Sequence, residues 1–246
     1  MKRIISLFFV TMLFATVLSA QTEKRKLDFS DDTDFSVRKG AFSFEGLSYF
    51  AFGDHVMFKS DSDLSELKGY NNTEFFMNLL ELRIHPYETG MFTIGFDLDW
   101  DYYRPEKNHY WLPDGEKVSI ASIEGSGMKK IKKSRLSVRT VSVPVAFEQS
   151  FGGLILRLGV EGNYNMPAVS RFKGVNGNDA KVNEWRDGAR FSKSIRTNTF
   201  TYGFFGALSY GGIGGYVKYS PMCQIADGFG PQFSTLSIGV ITGIGM

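Results

Sequence analysis

The sequence predicts an all-β protein: an eight-stranded antiparallel up-and-down transmembrane β-barrel with short periplasmic turns and long extracellular loops. Three observations carry that expectation. Apolar and polar residues alternate with period two in segment after segment, as in strands with two unlike faces. The connections between those segments run alternately long and short. Beyond residue 20 no apolar run approaches the ~20 residues a membrane-spanning helix needs.

The elements follow in order. Lys2 and Arg3 precede an apolar stretch over residues 4–18, and Ser19-Ala20 offers a small-residue cleavage site. Residues 1–20 read as a secretory signal peptide, with an apolar core of about 15 residues. Residues 21–39, acidic between Asp28 and Asp34, read as a periplasmic lead-in, and 40–246 as the barrel domain. In the first strand, 41–58, Phe42, Phe44, Phe50 and Phe52 share a parity that Leu47 and Tyr49 do not, so a bulge is expected near Gly46. The second, 73–86, sets Leu80, Leu82 and Ile84 against Glu81, Arg83 and His85. The third places Phe92, Ile94, Phe96, Leu98 and Trp100 opposite Thr93, Gly95, Asp97 and Asp99. The fourth, 135–150, sets Val141, Val143, Val145 and Phe147 against Ser142, Ala146 and Glu148. Its Pro144 lacks a ladder donor, so a bulge or an open pair is expected there. The fifth opposes Leu154, Leu156, Leu158 and Val160 to Arg157, Gly159, Glu161 and Asn163. The sixth carries Phe200, Tyr202, Phe204, Leu208 and Tyr210; the seventh, 213–222, opposes Val217 and Tyr219 to Tyr216 and Lys218. The last carries Leu236, Ile238, Val240, Ile244 and Met246.

Short connections fall at 87–90, 151–153 and 211–212, and long ones at 59–72, 105–134, 169–194 and 223–231. A soluble barrel has apolar side chains inside and no reason to sort its loops by length; an outer-membrane barrel does both the reverse. Trp100, Tyr102, Tyr103 and Tyr219 are expected at the loop-side interface, Tyr87 and Tyr210 at the turn side. The polar faces then form a lumen charge network: Glu81, Arg83, Asp97, Asp99, Arg157, Glu161 and Lys218. On the lipid face each Arg or Lys costs roughly 2–4 kcal/mol at mid-depth. Eight strands leave an interior that side chains fill, so a salt-bridged plug is expected, with Gly95, Gly159, Gly203 and Gly239 making room.

Composition narrows the function. With 43% hydrophobic and 22% charged residues the chain is not a disordered one, and a mean hydropathy of −0.14 suits alternating strands. Removing Lys2 and Arg3 leaves 26 basic and 26 acidic residues, so no nucleic-acid footprint exists, and the run 128–135 (MKKIKKSR) reads as a solvated loop patch. The single Cys223 and three His at 55, 85 and 109 lack metal-ligand spacing; no metal or cofactor is expected. His55, with Asp54, Ser60 and Asp61 near in sequence, is the best catalytic candidate, but no nucleophile motif surrounds it, so no enzyme is expected. Candidate loop contacts are Tyr110, Trp111, Lys129, Lys130 and Trp185.

The stretch 139–149, RTVSVPVAFEQ, followed by Phe151-Gly152-Gly153 and LILRLGVEGNY, resembles the strand with a central proline of PorT-type outer-membrane β-barrel proteins of Bacteroidetes. The resemblance implies the outer membrane of a Gram-negative bacterium and membership in an envelope or secretion assembly. The expected role is therefore a non-catalytic structural or interaction protein of the cell envelope, acting through its extracellular loops. Expected partners are outer-membrane lipid and lipopolysaccharide, the barrel assembly machinery, and an envelope protein. The alternatives are a lipid-modifying enzyme, a narrow channel and a soluble ligand-binding barrel.

Overall fold

A computed structural model describes residues 42–59, 72–87, 89–124, 126, 128–176, 181–183 and 192–244. The signal peptide, the lead-in, Ser60, Asp61 and Trp185 lie outside the described residues. Fourteen strands occur among them: β1 (Phe42–Gly46), β2 (Phe50–Lys59), β3 (Thr73–Tyr87), β4 (Gly90–Tyr103), β5 (His109–Asp114), β6 (Lys117–Ser122), β7 (Met128–Phe151), β8 (Leu154–Asn165), β9 (Ala168–Asn176), β10 (Lys181–Asn183), β11 (Ser192–Ile195), β12 (Phe200–Tyr210), β13 (Ile213–Ser220) and β14 (Phe233–Thr242). Eight of them close a ring. Each of β2, β3, β4, β7, β8, β12, β13 and β14 pairs antiparallel with the next, and β14 returns to β2. Closure leaves no unpaired edge within the wall.

The wall is inside-out relative to a soluble barrel. Phe96 is 40% exposed and Leu158 54%, whereas Asp97 and Glu161 are 3% and 6%. Tight turns gather at one rim. β7–β8 and β12–β13 close through Gly152-Gly153 (φ 61° and 98°) and Gly211-Gly212 (φ 59° and 82°), the left-handed pairs a two-residue hairpin requires. Aromatic rings ring both ends on the outer face: Phe42, Phe44, Phe151 and Tyr210 at the turn rim, Tyr164, Phe200, Tyr202 and Tyr219 at the loop rim.

Local irregularities follow the sequence. The first stave is broken at Leu47, which adopts φ 53°; β1 and β2 then pair in succession with β3. The β4–β7 ladder is open at Gly95 and Phe96, opposite Pro144 and Val143, and resumes in the same register at Asp97↔Ser142. Pro144 therefore costs the wall no donor it would use.

Several expectations need correction. The last strand stops at Thr242: Gly243 (φ 103°) turns the chain inward, so Ile244 is buried and does not meet lipid. Tyr103 also points inward, 2% exposed, because it has the parity of Asp99 and Asp101. Among the described residues the segments 105–134 and 169–194 are not wholly loop. β5 and β6 form a hairpin, and β7 runs from Met128, so the basic run is strand; β9 pairs with that extension from Ser137↔Val169 to Met128↔Asn176.

Candidate functional site

Two ionic clusters occupy the lumen. Arg157, fully enclosed, reaches Glu148 at 2.6 Å and Glu81 at 2.8 Å; Arg83 bonds Glu81 at 2.8 Å and Glu45 at 2.7 Å. Nearer the loop rim, Lys218 meets Glu74 at 2.9 Å and Asp99 and Glu161 at 3.0 Å. An aromatic layer lies between them. Phe76 packs edge-on to both Tyr49 and Tyr216, and each cation sits over a ring: Arg157 over Tyr49 at 4.6 Å, Lys218 over Phe76 at 5.2 Å.

The seven network residues expected from the sequence all face this interior; Asp97 is the one without an ion pair. It accepts from the Tyr49 hydroxyl at 2.6 Å and from Asn78 Nδ2 at 2.6 Å. Sequence reading missed Glu74, Asp101 and Glu148 as members, together with Tyr49, Phe76, Phe205 and Tyr216. Glu74 and Asp101 sit near strand ends, where alternation is hardest to trust. Tyr49 and Phe76 carry the same residue types as the lipid face, and only strict parity from a buried neighbour would have assigned them inward; Tyr216 shares the polar face of Lys218 in the sequence pattern but was not counted with the charges. Among the described residues seven buried carboxylates face three buried Lys and Arg side chains. Neutral donors take up the difference: Tyr216 bonds Glu74, Ser142 bonds Asp99, Gln224 bonds Asp101 and Asn163 bonds Glu161. Room comes from glycine. A Cβ on Gly203 would lie 2.8 Å from Glu161 Oε1, and one on Gly95 would lie 2.8 Å from Pro144 Cγ.

An apolar plug closes over the upper cluster. Tyr103, Leu136, Val138 and Phe233 from the wall pack with Trp111, Val118, Ile195, Cys223 and Ile225 from the connections. Trp111 is fully buried; its Nε1 donates to Tyr103 O at 3.0 Å and its backbone N–H to Ser134 Oγ at 2.9 Å. Tyr110 is buried against Phe172, with ring centroids 5.0 Å apart. These two rings are therefore packing anchors and not exposed loop contacts, because hairpin β5–β6 folds inward over the mouth. Backbone bonds tie the connections to one another: Val118 N to Phe229 O, Arg196 N to Glu116 O, Asn198 N to Gln224 O. Burial pushes the Cys223 thiol up to about 11, backbone N–H groups lowering it only in part. Lys129 and Lys130 are exposed on β7.

His55 lies inside the mouth, 4% exposed, its ring 4.6 Å from that of Tyr103. Its cross-strand neighbour is Ser237, whose hydroxyl bonds Glu74; Asp54 faces outward. His85 is half-buried near the turn rim, and His109 Nδ1 lies 3.3 Å from Lys107 O.

No family model and no curated protein matches the chain. Among solved structures it is similar to crystal structures of Ail, the attachment invasion locus protein of Yersinia pestis. For Ail with the heparin analogue sucrose octasulfate the identity is 9% and the TM-score 0.36; for Ail alone they are 10% and 0.35. Each comparison covers 83% of this chain and 99% of the other.

Proposed function

We propose that this protein is an integral outer-membrane β-barrel that acts without catalysis, as a structural or interaction protein presenting its loop rim to the outside. One observation carries the reading: apolar side chains face outward around the whole wall while ten ionisable side chains are enclosed. Exposed in water, that belt of Phe, Leu, Val and Ile would aggregate; in a bilayer it is solvated. The turn rim then faces the periplasm, after export on the signal peptide. A filled interior and a packed apolar mouth favour a plug over a channel. The buried His55, with its neighbouring Ser237 hydroxyl engaged by Glu74, favours a non-enzyme.

The PorT-type resemblance of 139–164 supports a place in an envelope or secretion assembly of Bacteroidetes, with the barrel assembly machinery inserting the chain. Membrane fractionation with gel mobility before and after boiling tests the core reading. Recovery in the outer-membrane fraction, and a compact band that shifts on boiling, are expected. Recovery in a detergent-free periplasmic extract would overturn it. Isolation in mild detergent, followed by mass spectrometry, tests the assembly.

A further inference from the structure

The outer face of the wall changes character abruptly at the loop rim. On β7 the inward positions Ser134, Leu136, Val138, Thr140 and Ser142 are buried, so Lys133, Arg135, Ser137 and Arg139 face outward. On β9 Ala168, Ser170 and Phe172 are buried, which leaves Arg171 and Lys173 outward. Register sets like against like: Arg135 opposite Arg171, and Lys133 opposite Lys173. Arg139 lies opposite Trp100 of β4, and Arg135 stacks on the Tyr102 ring at 4.8 Å. Arg104 follows the last residue of β4 and is half-buried.

Five cations thus share one face of the paired strands β7 and β9, with Arg104 just past the end of β4 beside them. Among the described residues no carboxylate forms an ion pair with Arg104, Lys133, Arg135, Arg139 or Lys173; the ion pairs among them gather on Arg83, Arg157 and Lys218. The Nε atoms of Arg104 and Arg135 are buried without a hydrogen-bond partner. Partial burial, then the positive charges of Arg135, Arg104, Lys173 and Arg171, hold the Lys133 ammonium below its ordinary range, which places all five within one electrostatic neighbourhood. Like charges directly across a ladder destabilise a sheet. Lys133 opposite Lys173 is one such pair, and Arg135 opposite Arg171 follows it along the ladder, each a cost to the sheet.

Position identifies what offsets it. Arg139 stands at the top of the lipid-facing run Val141, Val143, Val145 and Phe147, level with Trp100 in the aromatic belt. With ~3.3 Å per residue and a tilt of ~40°, Arg135 and Lys133 rise roughly 10 and 15 Å above it. The face is continuous with the wall that touches acyl chains, and it climbs from the membrane surface outward. A free anion would need one point of this ladder. A phosphorylated glycolipid needs all of it, since its acyl chains lie on the valines while anionic groups on successive sugars sit at rising heights.

Resting on the outer-membrane reading, we infer that the outward face of β7 and β9 formed by Lys133, Arg135, Arg139, Arg171 and Lys173, with Arg104 just past β4, is a binding site for the anionic headgroup of an outer-leaflet lipopolysaccharide molecule. Each cation neutralises phosphate or carboxylate oxygens, Arg by bidentate hydrogen bonds.

The test uses the full mature chain in phosphatidylcholine nanodiscs with or without lipopolysaccharide, compared with a variant carrying Lys133→Gln, Arg135→Gln, Arg171→Gln and Lys173→Gln. Insertion is checked first by heat-modifiable mobility; a chain that does not insert sinks the barrel reading itself. For inserted protein, lipopolysaccharide is expected to raise the unfolding temperature of the native chain. The variant should bind it at least about a hundredfold more weakly. In detergent free of lipopolysaccharide the variant should be no less stable than the native chain, since repulsion is removed. A control with Lys130→Gln should bind as the native chain does. Equal binding by the variant overturns the site. So does equal binding of dephosphorylated lipopolysaccharide, or equal protection by inorganic phosphate or a soluble sulfated polysaccharide.

Discussion

Arg157 holds two carboxylates apart on a single guanidinium, and its loss would be felt at once. Replacing it with Met leaves Glu81 and Glu148 enclosed without their shared cation. Breaking such a buried pair costs about 3–5 kcal/mol, so a marked fall in the urea midpoint in micelles is expected, with partial recovery when Glu148→Gln is added. Cys223 gives a second check at this scale. With its thiol pushed up to about 11, it is almost wholly un-ionised at pH 8 and packed beside Ile225 and Phe233. Maleimide labelling at pH 8 should be slow in the folded protein and fast once the chain is denatured. At this scale the sequence was legible where parity and charge agreed, as for Asp97, Asp99 and Lys218. It was illegible where an aromatic ring points inward. Tyr49 follows the parity break at Leu47, so nothing short of the bulge's position tells which face it takes.

Hairpin β5–β6 illustrates what period-two reading misses at the scale of elements. It sits in a segment whose polar and charged residues read as loop, because its apolar side chains are few and serve only to cover a mouth. Trp111→Ala removes the largest of them and the Nε1 hydrogen bond to Tyr103 O; a loss of roughly 3–5 kcal/mol is expected, seen as new proteolytic cleavage between Pro105 and Ser122 while the wall stays intact. The tight turns behave oppositely. Gly212 at φ 82° has no tolerance for a β-branched side chain, so Gly212→Val should destabilise by about 1–3 kcal/mol and slow refolding into micelles. Gly211→Asn, at φ 59°, should be nearly silent, since Asn accepts the left-handed region. These turns were plain in the sequence as glycine pairs between alternating strands. The extension of β7 was not, because a basic run is as ordinary in a loop as on a strand; only its partner β9 decides.

Radial order governs the whole molecule: lipid-compatible surface outside, acid-rich interior within, and a cationic crest above the belt. Val160, 49% exposed near the middle of β8, reports on the outer layer. Val160→Arg should cost roughly 2–4 kcal/mol, while Tyr210→Arg at the rim should cost about 0–1; equilibrium unfolding in bilayers distinguishes them. The number of wall strands and the face each turns inward were readable because one alternation runs through every stave. The mouth obeys no such rule, and there the connections pack by their own shapes. That packing has an immunological consequence. Trp111, Val118, Ile195 and Ile225 come from distant parts of the chain yet meet in one knot, so the surface above them exists only while the knot is tied. Sera raised against boiled protein should fail to stain intact cells, and peptides cut from single connections should make poor vaccines against this face.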